Sequence, residues 1–353
     1  MLIRTPSIGI DIGSSAIKIV ELSGNSPKKL RSIGIELIPP GAIADGFIQD
    51  TSAVEISLKN LIKKLNLRTR GRRAALSLGG SSVIIKKVYF PNKSEEELID
   101  LIEAEAEQHF QHDLNDLYFS WNTLDAPSKS EEVPIVLVGV KKELLEQHIS
   151  VIKTANMKIG ITDCDVFSLS NMFQYNFGSV NGLTVISNVG ASSTQVSIIN
   201  NGNYLYYRDI PIAGNHYTQA LETSLNIGYE NAESLKIDAS GSSPSSKQVG
   251  EIINVINDQL VQEILATIDF FFQNGEAPLD ASSIDRIFLT GGGSRTLGLS
   301  AAIAASLQVP VQILNPFYKI EIPKKFDRNN ILFHGPIYGI GVGLSLRELD
   351  EST

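Results

Sequence analysis

A single cysteine, Cys164, is the only thiol in this 353-residue chain. No disulfide can form within it, and the composition fits a reducing compartment. Cys164 lies among apolar neighbours, so it reads as a buried structural thiol, not a nucleophile. Basic residues are outnumbered: 30 Lys and Arg stand against 39 Asp and Glu, a net charge of −9. A nucleic-acid partner wants a basic surface, so this balance argues against that class. Apolar runs long enough to cross a bilayer are absent, and the opening Met-Leu-Ile-Arg-Thr-Pro lacks the apolar core of a signal peptide. Any membrane link is expected through a partner or a weak surface contact. No GxSxG and no persuasive Ser-His-Asp order occurs. His109 and His112 are three apart but lack an evident third ligand, so a metal centre there is not expected.

What is present is ordinary for an α/β protein: 42% apolar residues, 20% charged residues and 28 glycines. The length allows two large domains, or one with an insertion. Apolar patterning predicts strands at 7–11, 16–22, 30–37 and 73–78, with a helix at 54–65. From about 79 to 163 a second pattern runs: a strand at 83–90, a helix opened by the Ser94/Glu97 capping box, strands at 117–124 and 134–140, a helix at 141–155 and a strand at 158–162. An acidic loop with Pro127 and Ser128 joins the two middle strands. This stretch reads as an inserted α/β subdomain. After a helix at 167–173, a second lobe is predicted. It has strands at 183–187, 194–199 and 204–210, with an Asn-Gly turn at 201–202. Helices follow at 217–225, 229–237 and 249–272, with a Ser/Gly-rich loop at 239–247. A strand at 284–290, a helix at 297–307 and a last helix at 338–349 close the chain.

One internal repeat stands out. Ile10-Asp11-Ile12-Gly13-Ser14-Ser15 aligns with Ser187-Asn188-Val189-Gly190-Ala191-Ser192, each between two short apolar strands. Two related halves, each offering one turn, are the natural inference.

The first turn has the parts of a phosphate site. Gly13, Ser14 and Ser15 expose backbone amides toward one point, and such a nest binds phosphate oxygens. Asp11 at the strand end suits Mg²⁺ held through water. Lys18 in the return strand reaches a phosphate as a point charge. A polar hairpin with a surface lysine is the competing account. The second turn, Asn188 to Thr194 through Gly190, can face the first and clamp a polyphosphate. Asn188 carries no charge and accepts no proton, so fast hydrolysis is not expected. Thr290-Gly291-Gly292-Gly293-Ser294 offers bare backbone to a planar base, or else is a plain strand-to-helix turn. The spacing Gly291, Gly293, Gly298 does not give a dinucleotide fingerprint. Glu233 and Lys236, three apart on a helix, can grip a ribose or simply pair with each other.

In this order these pieces resemble the actin-like ATPase superfamily, and within it the PilM family of type IV pilus assembly proteins, with the division protein FtsA as near relative. The stretches that carry the resemblance are Gly9 to Ser15 with Ile17-Lys18, Arg208-Asp209-Ile210-Pro211, Gly214-Asn215-His216-Tyr217-Thr218, Ala232-Glu233 with Lys236, Phe288 to Ser294, and Gly335 to Gly341. Two positions depart from it: Asn188 stands where many relatives have aspartate, and Ala213 where many have glycine.

The resemblance implies a two-lobed actin-like (ribonuclease H-like) α/β fold. First-lobe core would occupy 1–78 and 164–180, the inserted subdomain 79–163, the second lobe 181–333, and a closing C-terminal helix 334–353. It implies ATP and Mg²⁺ as ligands. Asp11, Gly13, Ser14, Ser15 and Lys18 would bind phosphate and metal. Asn188, Gly190 and Thr194 would form the opposite turn, and Glu233, Lys236 and Gly291, Gly292, Gly293, Ser294 would hold adenosine. It implies a cytoplasmic protein at the inner membrane, bound to the cytoplasmic tail of a PilN-like membrane protein and other platform proteins, as a possible homo-oligomer. The implied role is pilus biogenesis and twitching motility, with an FtsA-like filament protein or a small-molecule kinase as alternatives.

Overall fold

The computed structural model describes residues 8–347, except 111, 125–130, 179, 181, 201, 241–246 and 275–282. The first lobe begins as a meander: β1 (Ile8–Ile12), β2 (Ala16–Ser23) and β3 (Lys29–Leu37). All five residues of β1 are buried, as expected of a strand covered on both faces. The short strands β4 (Ile43–Ala44) and β5 (Phe47–Ile48) lead to α1 (Thr51–Lys64), which Asp50 caps through Ala53 N–H. β6 (Arg73–Leu78) then lies parallel to β1.

Next come β7 (Val83–Pro91), α2 (Glu95–Phe110), β8 (Leu117–Thr123) and β9 (Glu132–Lys141). The three strands form their own sheet in the order β7-β9-β8. The Ser94/Glu97 capping box forms reciprocally at the start of α2. α2 packs its Leu98, Ile102, Ala106 and Phe110 on one face of that sheet. α3 (Lys142–Thr154) and β10 (Lys158–Cys164) follow.

β10 pairs in parallel with β6, which corrects the expected insertion boundary at 163. Only the β7-β9-β8 sheet with α2 stands apart. The apolar side of α3, through Val151 and Ile152, packs with Leu58 and Leu61 of α1, so the chain returns to the first lobe at α3. The signal misled because α3 and β10 have the same local patterning as the elements before them.

α4 (Asp165–Phe177) crosses to the second lobe, which repeats the scheme: β11 (Leu183–Val189), β12 (Thr194–Asn200) and β13 (Asn203–Ile210). Helices α5 (Gly214–Leu225), α6 (Tyr229–Ser240) and α7 (Lys247–Asn274) precede β14 (Ile284–Thr290). α8 (Leu299–Leu307), β15 (Val311–Ile313), α9 (Arg328–His334) and α10 (Gly339–Leu346) complete the chain. Of the expected Asn-Gly turn, Asn201 lies outside the described residues. So do Pro127, Ser128, most of the 239–247 loop and the end of the expected last helix.

The two large sheets have one topology. The first runs β10-β6-β1-β2-β3, the second β13-β12-β11-β14-β15. In each, a three-stranded antiparallel meander is extended by two parallel strands, so the short repeat seen in the sequence marks a repeat of whole lobes. Between the lobes, α4 and α10 share one apolar core with strands of both sheets: Val20 and Leu22, Leu169, Met172 and Phe173, Ile186 and Phe288, Val342 and Leu344.

Candidate functional site

Parallel strands of such sheets present their carboxyl ends to a common crevice. Here β1 ends at Asp11 and Ile12, β6 before Gly79, β10 before Asp165, β11 at Asn188, and β14 before Gly291. All of these line one cavity of about 400 Å³. The two turns of the repeat enter it from opposite lobes. Ser14 Oγ meets Ser192 Oγ at 3.0 Å across 178 positions of sequence. Gly13, Ser15 and Lys18 line it on one side, Gly190, Ala191 and Ser193 on the other, and Gly291 and Gly292 at a third edge.

The turns are built alike. Gly13 N–H donates to Ala16 O, and Gly190 N–H to Ser193 O. The amides of Ser14, Ser15, Ala191 and Ser192 have no hydrogen-bond partner among the described residues. Four free donors in one cavity suit anionic oxygens. Lys18 Nζ lies 3.2 Å from Asp11 Oδ2, with both side chains largely buried.

The floor of the cavity is a relay of polar side chains. Ser77 Oγ donates to Asp165 Oδ1 at 2.6 Å, and Gln195 Nε2 to Asp165 Oδ2 at 2.9 Å. Asn188 Nδ2 in turn donates to Gln195 Oε1 at 2.9 Å. Burial, then the charge of Asp11, pushes the Asp165 carboxyl up to about 6, although the Ser77 and Gln195 hydrogen bonds oppose this. Asp209, also in the lining, is raised by burial, and its Oδ1 is buried without a partner among the described residues. His148, on α3, lines the cavity with Nδ1 on Leu144 O, and burial lowers its pKa.

Five expected site residues lie outside this lining. Thr194 is fully buried, and its hydroxyl donates to Ile212 O at 2.7 Å. Ser294 turns its hydroxyl back to Gly291 O, and Gly293 packs on Val189. Glu233 and Lys236 stand one step behind the second turn. Lys236 Nζ donates to Glu233 Oε2 at 2.6 Å, Thr218 Oγ1 at 2.9 Å and Gly214 O at 3.2 Å, while Gly214 N–H donates to Gly190 O. With its ammonium engaged by these three oxygens, Lys236 braces the turn from behind. Conversely, Ser77, Gly79, Gln195, Asp209 and His148 line the cavity without a role expected from sequence. A Gly-Gly pair straight after β6 was the available signal for Gly79, since strand-then-glycine marked the other cavity edges. Gln195 and Ser77 are interior strand residues with no local mark.

A family model described as type IV pilus assembly protein PilM matches residues 9–349. The chain belongs to this family. The PilM chain of a solved PilM-PilN type IV pilus biogenesis complex is similar at 23% identity, covering 98% of this chain and 99% of that one, with a TM-score of 0.87. Ethanolamine utilization protein EutJ from Carboxydothermus hydrogenoformans matches at 14% identity over 98% and 90% of the two chains, TM-score 0.54. MreB5 of Spiroplasma citri bound to AMPPNP matches at 13% identity over 97% and 95%, TM-score 0.52. These neighbours share the two-lobed actin-like fold that the PilM family carries. Among the described residues, no helix is long and apolar enough to cross a membrane.

Proposed function

We propose that the cleft binds ATP with Mg²⁺, and that the chain is an adaptor of the type IV pilus platform. It would hold the cytoplasmic N-terminal tail of a PilN-like inner-membrane protein and so support pilus biogenesis and twitching motility. The observation that carries the nucleotide reading is the convergence of the two glycine-serine turns, with Ser14 and Ser192 in contact and four free amides between them.

The residues present fit the ligand. Free amides and Lys18 suit phosphate oxygens, and the apolar edge by Gly291, Ile337 and Ile340 suits a base. Mg²⁺ supplies positive charge on the phosphates. Asp11 would hold it through water, and the unpaired Asp209 Oδ1 is an acceptor for a bound water. No set of three acidic, His or Cys side chains is close enough to cage a metal among the described residues, so phosphate and water oxygens would complete its ligands. Turnover would be slow. Asn188 neither adds charge nor takes a proton, and both Asp165 oxygens already accept hydrogen bonds. The partner rests on family membership and on the PilM-PilN complex to which the chain is similar.

The test is direct. Nucleotide released from the purified chain should be an adenine nucleotide, and ATP with Mg²⁺ should raise the melting temperature. Asp11→Ala should lose both effects, and a PilN-like tail peptide should be captured by the wild-type chain. Absence of any ATP effect on melting would refute the nucleotide reading, and absence of peptide capture the adaptor reading.

A further inference from the structure

The net charge of −9 conceals a strongly basic pole. Residues 59–73 contain seven Lys and Arg and no Asp or Glu. The fold gathers this run with two further cations. β6 and β10 are parallel, with Arg73 and Lys158 in register, and the Lys158 amide donates to Arg72 O. α1 runs back to the start of β6 and α3 to the start of β10. The carboxyl ends of both helices and the first residues of both strands therefore share one end of the first lobe. That end is the one away from the cleft, roughly 20 Å off by the rise of a six-residue strand.

Nearby acids are already used. Glu36 pairs with Lys64, Glu55 with Lys59, and buried Glu21 with Arg72. Lys63, Arg68, Arg70, Arg73, Lys153 and Lys158 are exposed and make no ion pair among the described residues. Cations at helix carboxyl ends offset the helix dipole, which accounts for Lys63 and Lys153. It does not account for Arg68 and Arg70 on the loop, or for Arg73 and Lys158 at strand starts. None of these six lines any of the three described cavities. Among the described residues, the pole offers charge apart from the described cavities.

We propose that this pole rests on an anionic phospholipid surface, with the cleft turned away from the bilayer. An exposed patch of long basic side chains matches the diffuse negative charge of a headgroup layer, to which each nearby Lys or Arg adds attraction. An acidic peptide would need a groove or pocket to fix its register, whereas a flat headgroup layer meets the pole alone and a nucleic acid extending past it would meet the acidic remainder of the chain. The contact is weak and screened by salt. It orients the protein; it does not anchor it. It is independent of the nucleotide and PilN-tail readings, because it needs neither ligand.

The test uses the purified full chain and lipid vesicles in a flotation assay. At low salt the wild type should float with vesicles containing about one third phosphatidylglycerol, not with pure phosphatidylcholine, and high salt should release it. R68E/R70E/K153E should weaken partitioning by at least tenfold, from about fivefold per cation removed. K247E/K324E/R328E makes the same net change at exposed sites elsewhere and should bind as wild type. R68Q/R70Q/K153Q guards against damage by charge reversal and should lose binding in part, with its melting temperature kept. The proposal fails if the wild type ignores anionic vesicles. It also fails if both Glu triples fall equally, or if the pole variants alter only self-association or capture of an acidic protein.

Discussion

Gln195 and Asp165 join the two lobes at the floor of the cleft, amide Nε2 to carboxylate Oδ2 at 2.9 Å. Gln195 is on β12 of the second lobe, and Asp165 starts the helix that leaves the first. The carboxylate is largely withdrawn from solvent at the cleft floor and lies near the charge of Asp11, so its ionised form is disfavoured in the folded chain. Between the ordinary value of 3.8 and the folded value of about 6, the folded chain binds more protons than the unfolded one. The stability from this group is therefore complete below the lower value and lost as pH rises through the upper. At neutral pH the loss is roughly 2–3 kcal/mol. Asp165→Asn should melt higher than wild type at pH 7.5, and the gap should close as pH falls toward 5. Thermal melts of both proteins across that range check it, and a gap that widens on acidification refutes the assignment.

Gly79 makes room for that bridge. A Cβ there would lie 2.1 Å from Asp165 Oδ2 and 2.4 Å from Gln195 Nε2. Neither atom can retreat without losing its hydrogen bond. Gly79→Ala should destabilise by about 1–3 kcal/mol, as overpacking does, and should loosen the closed arrangement of the lobes. Differential scanning calorimetry gives the first quantity. Small-angle scattering gives the second, as a larger radius of gyration than wild type.

Much of this arrangement was legible in the sequence, and the reason is local. The strand-turn-strand of residues 10–15 and its echo at 187–192 are set by apolar runs broken by glycine, and the two turns meet across the cleft. The Ser94/Glu97 box and the hairpin of β12 and β13 likewise depend on neighbours in the chain. What escaped was decided at long range. That β10 joins β6 depends on a pairing made over some eighty positions, and nothing in residues 158–162 announces it. Thr194 sits in a phosphate-like turn by sequence, yet its alternation along β12 turns the hydroxyl inward to Ile212. The seven-residue helix α9 and the three-residue strand β15 are too short for periodicity to show.

Glu233 and Lys236 give a second test of the same distinction. Their hydroxyl and backbone partners, Thr218 and Gly214, tie α6 to α5 directly behind Gly190. Lys236→Met leaves the carboxylate without its cation, and Glu233→Gln leaves the ammonium without its charge partner. Each alone should lower stability, and the double variant should cost less than the sum, with a coupling of about 0.5–3 kcal/mol. Urea denaturation of the four proteins closes the cycle. If the pair acts only as a brace, ATP affinity should fall in proportion to the loss of turn rigidity. A selective loss for adenine nucleotides over inorganic triphosphate would instead place the pair at the base.

The interlobe core sets how far the lobes can move apart. Phe173 on α4 and Phe288 on β14 are both buried, with ring centroids 5.2 Å apart at 67°. Edge-to-face pairs add to the burial itself. Phe173→Ala removes a fully enclosed ring between two sheets that cannot collapse onto each other without breaking their ladders. It should cost about 3–5 kcal/mol, more than truncating exposed Phe270 at the end of α7, which should cost under about 1 kcal/mol. Because this core touches both lobes, the loss should appear as one cooperative transition at lower temperature. Two separate transitions after Phe173→Ala would mean that the lobes fold independently and that the shared core contributes little to their coupling.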